Sequence, residues 1–422
     1  IAIIAVGLSG LLQKKGALGQ NVIIQSIGAC AGAIVAGAIF TLPAIYILDL
    51  EVSFWQMALS SLLGGVLGIL FLIPFRKYFV KEMHGKYPFP EATATTQVLV
   101  NGEGNRKGAL TLLISGLVGG LYDFLVSTFG TWAETISTRM TGWGAALADS
   151  HKLVVKNNTG AAVLGLGYII GLKYSLIICC GSFLVWFVLI PLINIFGGES
   201  VVDLMNSGSM ASIASMSAEE IFSTYARPVG IGGIATAGII GILKSFGVIK
   251  SAFGLAVSEM KRKDSKETNV ERTQKDLPMT IIVYGIAITI LLAYAFFVFG
   301  TACNWWQAVI ALLLAAVIAF LFTTVAANAI AIVGSNPVSG MTIMTLILTS
   351  LLLVAMGVNG NLGMVAAVLI GGVVCTALSV AGAFITDLKI GYWIGTTPAK
   401  QESWKFLGTI VAAVTVCGVM AI

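Results

Sequence analysis

A chain of 422 residues, 57% hydrophobic and 10% charged with a mean hydropathy of +0.96, is not an ordinary soluble domain, in which about 25% of residues carry charge. Its net charge of +5 is divided among short basic loops, which excludes a nucleic-acid-binding stripe. Six cysteines without CxxC spacing and only two histidines exclude a conventional zinc or iron–sulfur centre, so any metal the protein handles arrives already chelated.

Segments able to cross about 30 Å of hydrocarbon at about 1.5 Å per residue follow one another at 22–48, 53–75, 108–130, 176–196, 229–249, 278–300, 304–326, 361–385 and 405–422. A shorter candidate lies at 160–174, and 327–356 reads as a broken helix or a pair of half-helices divided at Asn336-Pro337. With the apolar stretch 1–12, the chain is expected to be an all-α polytopic membrane protein of about 11–12 embedded helices, some broken or re-entrant. The 49 glycines fit helices packed through small residues, because lipid supplies no hydrophobic force between them. The chain begins and ends inside apolar sequence without an initiating Met, so segments are expected to be missing at both ends.

Basic residues set the expected orientation. Lys14 and Lys15, the group from Arg76 to Lys107, the group from Lys261 to Lys275, and Lys389, Lys400 and Lys405 define four loops that face the cytoplasm. The loops 131–159 and 197–227 are then external. The charged stretch 259–277 reads as a cytoplasmic linker between an N-terminal membrane half, 1–258, and a C-terminal half, 278–422, of one integrated membrane domain. Residues 32–43 share glycine spacing with 334–345, a candidate internal repeat.

Function concentrates where a helix breaker enters apolar sequence. Proline removes a ladder donor, so the helix should open around Asn336 and leave backbone groups that lipid cannot satisfy. Gly334, Ser335, Asn336, Pro337, Ser339, Gly340 and Thr342 are the candidate substrate-binding residues: hydroxyls and an amide supply hydrogen bonds, and the glycines admit a ligand to the backbone. A capped proline kink without a ligand is the alternative. Gln25 and Thr41, flanking the earlier glycine-rich stretch, are candidates to line the same cavity, or to make interhelical hydrogen bonds. Asp123, an acid among apolar residues, is the candidate proton relay, with capping or pairing near the interface as its alternative role. Pro90-Glu91 starts a helix with an acid in its first turn, suited to dipole compensation or to proton coupling. Asp387 to Gln401 reads as a short amphipathic element at the cytoplasmic interface.

Four stretches, Tyr87-Pro88-Phe89-Pro90-Glu91-Ala92-Thr93-Ala94, the run 164–173, Gly334 to Thr342, and Asp387-Leu388-Lys389 with Gly391-Tyr392, Gly395, Thr397-Pro398 and Gln401, resemble in order the oligopeptide transporter family, nearer its prokaryotic and yellow-stripe-like branch. The resemblance implies roughly sixteen membrane elements in the full protein and alternating access around the broken helix. It also implies proton-coupled symport of small peptides or metal-chelate complexes, with a proton gradient and no cofactor. An integral protein of a prokaryotic cytoplasmic membrane is expected, and a homodimer is compatible with the family. Two other classes stand beside this reading. An ion-pumping membrane enzyme needs clustered carboxylates for magnesium, and a channel needs a ring of like polar groups; neither pattern is legible here.

Overall fold

The computed structural model describes residues 17–102, 106–198, 201–203, 210–233, 236, 237, 240, 243, 247, 271–301, 303–334, 336 and 338–421. Among them, eight helices are long and apolar enough to cross a membrane: Leu18–Ile47, Phe54–Glu82, Leu110–Phe129, Leu172–Gly197, Arg272–Gly300, Trp305–Val333, Gly360–Ile394 and Pro398–Met420. Each overlaps a span expected from hydropathy, and the shorter apolar helices Ala161–Ile170 and Gly340–Ala355 fall at 160–174 and inside 327–356. The chain is therefore a polytopic, all-helical membrane protein. The expected elements at 1–12 and, for the most part, 229–249, together with most of the 259–277 linker, lie outside the described residues.

The chain divides into two compact units, one of residues 1–112 with 237–422 and one of residues 113–236. The first is built on α1 (Leu18–Ala38), α2 (Pro43–Ile47), α3 (Phe54–Arg76) and α4 (Pro90–Gly102), the greater part of α5 (Arg106–Phe129) belonging to the second unit. The second unit continues with α6 (Gly142–His151), α7 (Ala161–Ile170), α8 (Leu172–Phe183), α9 (Ile190–Gly197) and α10 (Ala218–Ile221). Two short antiparallel hairpins, β1 (Thr135–Ser137) with β2 (Lys156–Asn158) and β3 (Val201–Asp203) with β4 (Met210–Ser212), tighten its loops. The first unit is completed by α11 (Met279–Gly300), α12 (Trp305–Val333), α13 (Val338–Ala355), α14 (Gly360–Ile394) and α15 (Pro398–Met420).

Helix α14 is the axis of the first unit: 89% of its most apolar window is buried, and α1, α3, α12, α13 and α15 pack around it. Its composition explains this position. Gly363, Ala366, Gly371, Gly372, Ala377, Ala381 and Gly382 let neighbouring backbones approach closely, the packing mode open to helices in lipid. Polar groups add to it: Ser60 Oγ donates to the Leu369 carbonyl at 2.8 Å. Helix α3 does not end at Arg76 but loosens into a wide π-turn over Lys77–Glu82, a distortion found frequently at functional sites.

Candidate functional site

Helix α12 ends where the sequence says it must. Gly334 adopts φ +80°, its N–H closes on the Ile330 carbonyl at 2.9 Å, and the chain resumes as α13 only at Val338. A side chain at Gly334 is doubly excluded, because its φ is left-handed and an added Cβ would stand 2.7 Å from Pro90 Cγ. Asn336, inside the break, donates from Nδ2 to the Leu378 carbonyl of α14 at 3.2 Å, in space that Gly382 leaves open. Its Oδ1 is buried without a hydrogen-bond partner among the described residues, as are Asn328 Oδ1, Thr376 Oγ1 and Thr386 Oγ1. Buried polar atoms are normally satisfied, so the Asn336 oxygen inside the break is a group that a polar ligand could meet, whereas Thr376 packs against Gly37 of α1 and Gly64 of α3. Gly340 and Thr342 are buried at the start of α13, Thr342 beside Cys375 of α14. Ser335, Pro337 and the side chain of Ser339 lie outside the described residues.

The turn before α4 docks directly on this break. Phe89 donates its N–H to the Ala331 carbonyl of α12 at 3.0 Å while holding φ +44°, a rare conformation for a bulky residue. Its buried ring is part of what holds that strain. Pro90 and Glu91 then open α4, as their sequence predicts. Solvent reaches the Glu91 side chain, but protein packs densely around its carboxyl. That desolvation first, and the negative charge of Asp387 second, raises its pKa from 4.5 to about 7.

Asp387 itself corrects an expectation. Instead of a separate amphipathic element at the interface, residues 387–391 are the fully buried continuation of α14, which runs to Ile394. The charges are tolerated there because partners from distant helices meet them. Asp387 pairs with Lys405 of α15 and accepts from Ser26 Oγ of α1 at 3.3 Å, while Lys405 Nζ also donates to the Ser26 carbonyl at 2.8 Å. Gln401 Nε2 donates to the Asp387 carbonyl at 3.1 Å. Lys389 places its ammonium 2.8 Å from the Val80 carbonyl in the π-turn and 3.0 Å from His84 Nδ1. The rings of Phe89, Tyr392 and Trp393 stand 5.2, 5.2 and 5.4 Å away, a cation–π cage. Tyr392 and Trp393 thus serve this buried ammonium.

The structure brings Gly334, Asn336 and Glu91 together. Gln25, next to Ser26, has its Oε1 buried without a partner among the described residues; Thr41 packs on Gly371 and Gly372 of α14 and donates to the Ala38 carbonyl at 3.3 Å. Asp123 belongs to the second unit, where its carboxylate accepts the N–H groups of Ala161 and Ala162 at 2.8 and 3.2 Å and so caps α7. Sequence reasoning did not find the buried roles of Lys389, Lys405, Arg76 and Glu402. The available signal was a charge next to, or inside, an apolar helix.

Three of the four sequence stretches singled out by resemblance therefore gather on α14: 334–342 against its middle, at Cys375 to Gly382, and 87–94 beside its C-terminal part, which 387–394 forms. A family model described as OPT oligopeptide transporter protein matches residues 1–422. The chain belongs to the OPT oligopeptide transporter family. It is also 27% identical over 434 residues to a Haemophilus influenzae protein provisionally named an oligopeptide transporter, an alignment covering 97% of this chain and 65% of that protein. The OPT chain thus spans about two thirds of the length of the relative it matches. The fourth stretch, 164–173, forms the end of α7, a left-handed Gly171 and the start of α8.

The ion pair beneath the site gives a stability prediction for this OPT chain. Removing one partner of a buried pair leaves the other charge unmet, so Lys405→Met is expected to destabilise the protein by about 3–5 kcal/mol. The double replacement Asp387→Leu with Lys405→Met should recover most of that loss, read as the thermal unfolding midpoint in detergent.

Proposed function

We propose that this chain is the core of a proton-coupled symporter that moves small oligopeptides across a prokaryotic cytoplasmic membrane, with access alternating around the break between α12 and α13. The observation that carries the reading is the junction itself: an interrupted helix with unpartnered buried oxygens, held against a turn whose carboxylate takes up a proton near neutral pH. Asn336, Gly334, Gly340 and Thr342 are the proposed cargo-binding residues, with Gln25 and Thr41 approaching α14 from the other glycine-rich stretch. Glu91 is the proposed proton carrier. It is preferred to Asp123 because solvent reaches it, whereas both oxygens of Asp123 are occupied in capping α7.

Family membership and the name of the bacterial relative support a carrier rather than an enzyme. The driving force is sufficient: one charge crossing 100 mV contributes about 2.3 kcal/mol, which supports more than tenfold accumulation. The test is uptake by the full-length protein in liposomes under an inward proton gradient, comparing labelled di- to tetrapeptides with a ferric or nickel chelate. Peptide uptake that collapses with a protonophore is the expected result. Chelate-only uptake would move the cargo to metal complexes, and no flux of either would overturn the carrier reading.

A further inference from the structure

Among the described residues of the first unit, three cationic side chains are buried, and two of them meet a carboxylate: Lys405 pairs with Asp387, and Arg76 with Asp276. Lys389 does not. It is 1% exposed, and its ammonium meets the Val80 carbonyl, His84 Nδ1 and the faces of three rings, none of which supplies a negative charge. No ion pair joins it to an acid among the described residues. Asp387, two positions earlier, lies on the opposite side of α14 and is held there by Lys405 and Ser26. An ammonium has three donors, and only two are accepted here, by a carbonyl and a ring nitrogen. A buried cation without an anion is costly, and the rings offset only part of that cost.

The neighbouring face of α14 shows where an anion would arrive. Gly382, Thr386 and Lys389 follow one another at i, i+4 and i+7, so they lie on one face of the helix. Asn336 fills the space at Gly382, with its Oδ1 unpartnered among the described residues. Thr386, one turn further on, is 4% exposed, and its Oγ1 also meets no partner among them. The stripe therefore runs from an acceptor at the break, through a hydroxyl, to an ammonium with a donor to spare. Gly382 and Lys389 are two helical turns apart, about 10 Å at about 1.5 Å per residue, which about three extended peptide residues cover at ~3.4 Å each. We propose that Lys389 and Thr386 form an anion subsite that takes the C-terminal carboxylate of a cargo of about three residues, whose N–H groups lie toward Asn336. The assignment rests on the reading of the break as the cargo site, and adds to it that a free carboxylate is required.

Isothermal titration calorimetry of tri-alanine and of its C-terminal amide on the full-length protein in detergent tests the subsite without requiring transport. The wild type should bind the free acid about ten- to a hundredfold more tightly than the amide, the factor that one hydrogen bond to a charged group supplies. Lys389→Met keeps the apolar stem and should bind both peptides at the affinity of the amide. Thr386→Val, which removes only the hydroxyl, should lose part of the preference while melting as the wild type does. A wild type that binds the two alike or binds neither, or a preference undiminished in either folded variant, would overturn the proposal. The expected preference together with no peptide flux in liposomes would count against the transport reading alone.

Discussion

Replacing Asn336 with alanine will lower peptide uptake in liposomes by about five- to 150-fold, the factor that corresponds to the roughly 1–3 kcal/mol cost of removing one polar partner from a buried network. Two losses combine in this variant. The Nδ2 bond that ties the break to the Leu378 carbonyl disappears, and so does the one amide oxygen within the break that is buried and free to meet a cargo N–H. The thermal midpoint should move less than uptake does, because α12 is closed by the Gly334 N–H on the Ile330 carbonyl and not by that side chain. A folded Asn336→Ala protein with wild-type uptake would remove the break as the cargo site. Gly334→Val probes the same junction through the backbone. Its φ of +80° and the nearby Pro90 ring leave no room for a β-branched residue, so the turn at 89–91 must shift. Strain of this kind costs about 1–3 kcal/mol and should appear as lower stability as well as lower uptake.

Much of this arrangement was legible in the sequence, and for physical reasons. Apolar runs long enough for a bilayer became helices at nearly the expected positions, because backbone in lipid has few alternatives. Pro90 began α4 with Glu91 in its first turn, and the chain broke around Asn336, as the chemistry of proline requires. Buried charge was less legible. Asp387 and Lys389 were read as marking the cytoplasmic end of a span, since a hydropathy window treats any charge as an exit from lipid. They remain inside α14 because their partners arrive from Ser26, 361 residues away, and from Val80, 309 residues away. No local pattern encodes partners at that separation. For Asp123 the sequence offered capping as the alternative to a proton relay, and its carboxylate does cap the first turn of α7, though which helix it caps was not legible. The β hairpins of the second unit, only three residues per strand, are too short to give a period-2 signal.

The cage around Lys389 explains why the three converging stretches act as one. Its ammonium touches the π-turn after α3, the ring of Phe89 and two aromatic residues of α14, so the turn carrying Glu91 cannot move without disturbing the buried cation. Under the proposed alternating access, the proposed proton carrier Glu91 and the helix break would need such a coupling. Phe89 would supply it, bonded to α12 through its N–H and to Lys389 through its ring.

Glu91→Gln should separate proton driving from cargo exchange. With a pKa near 7, Glu91 is protonated on the acidic side of neutrality and ionised on the alkaline side, so the wild type should lose gradient-driven accumulation as the pH on both faces rises through that range. The glutamine variant keeps the shape and the neutral state. It should exchange labelled for unlabelled peptide across the membrane at every pH, while accumulation under an imposed proton gradient falls to background. Stability supplies an independent check of the sign. A carboxyl whose pKa is raised on folding binds more protons in the native state, so it favours folding fully below its ordinary value of 4.5, and that contribution is lost as pH rises to about 7. The wild-type melting temperature should therefore decline over that interval more than that of Glu91→Gln. A Glu91→Gln protein that still concentrates peptide against its gradient would exclude Glu91 as the proton carrier, whatever its effect on melting.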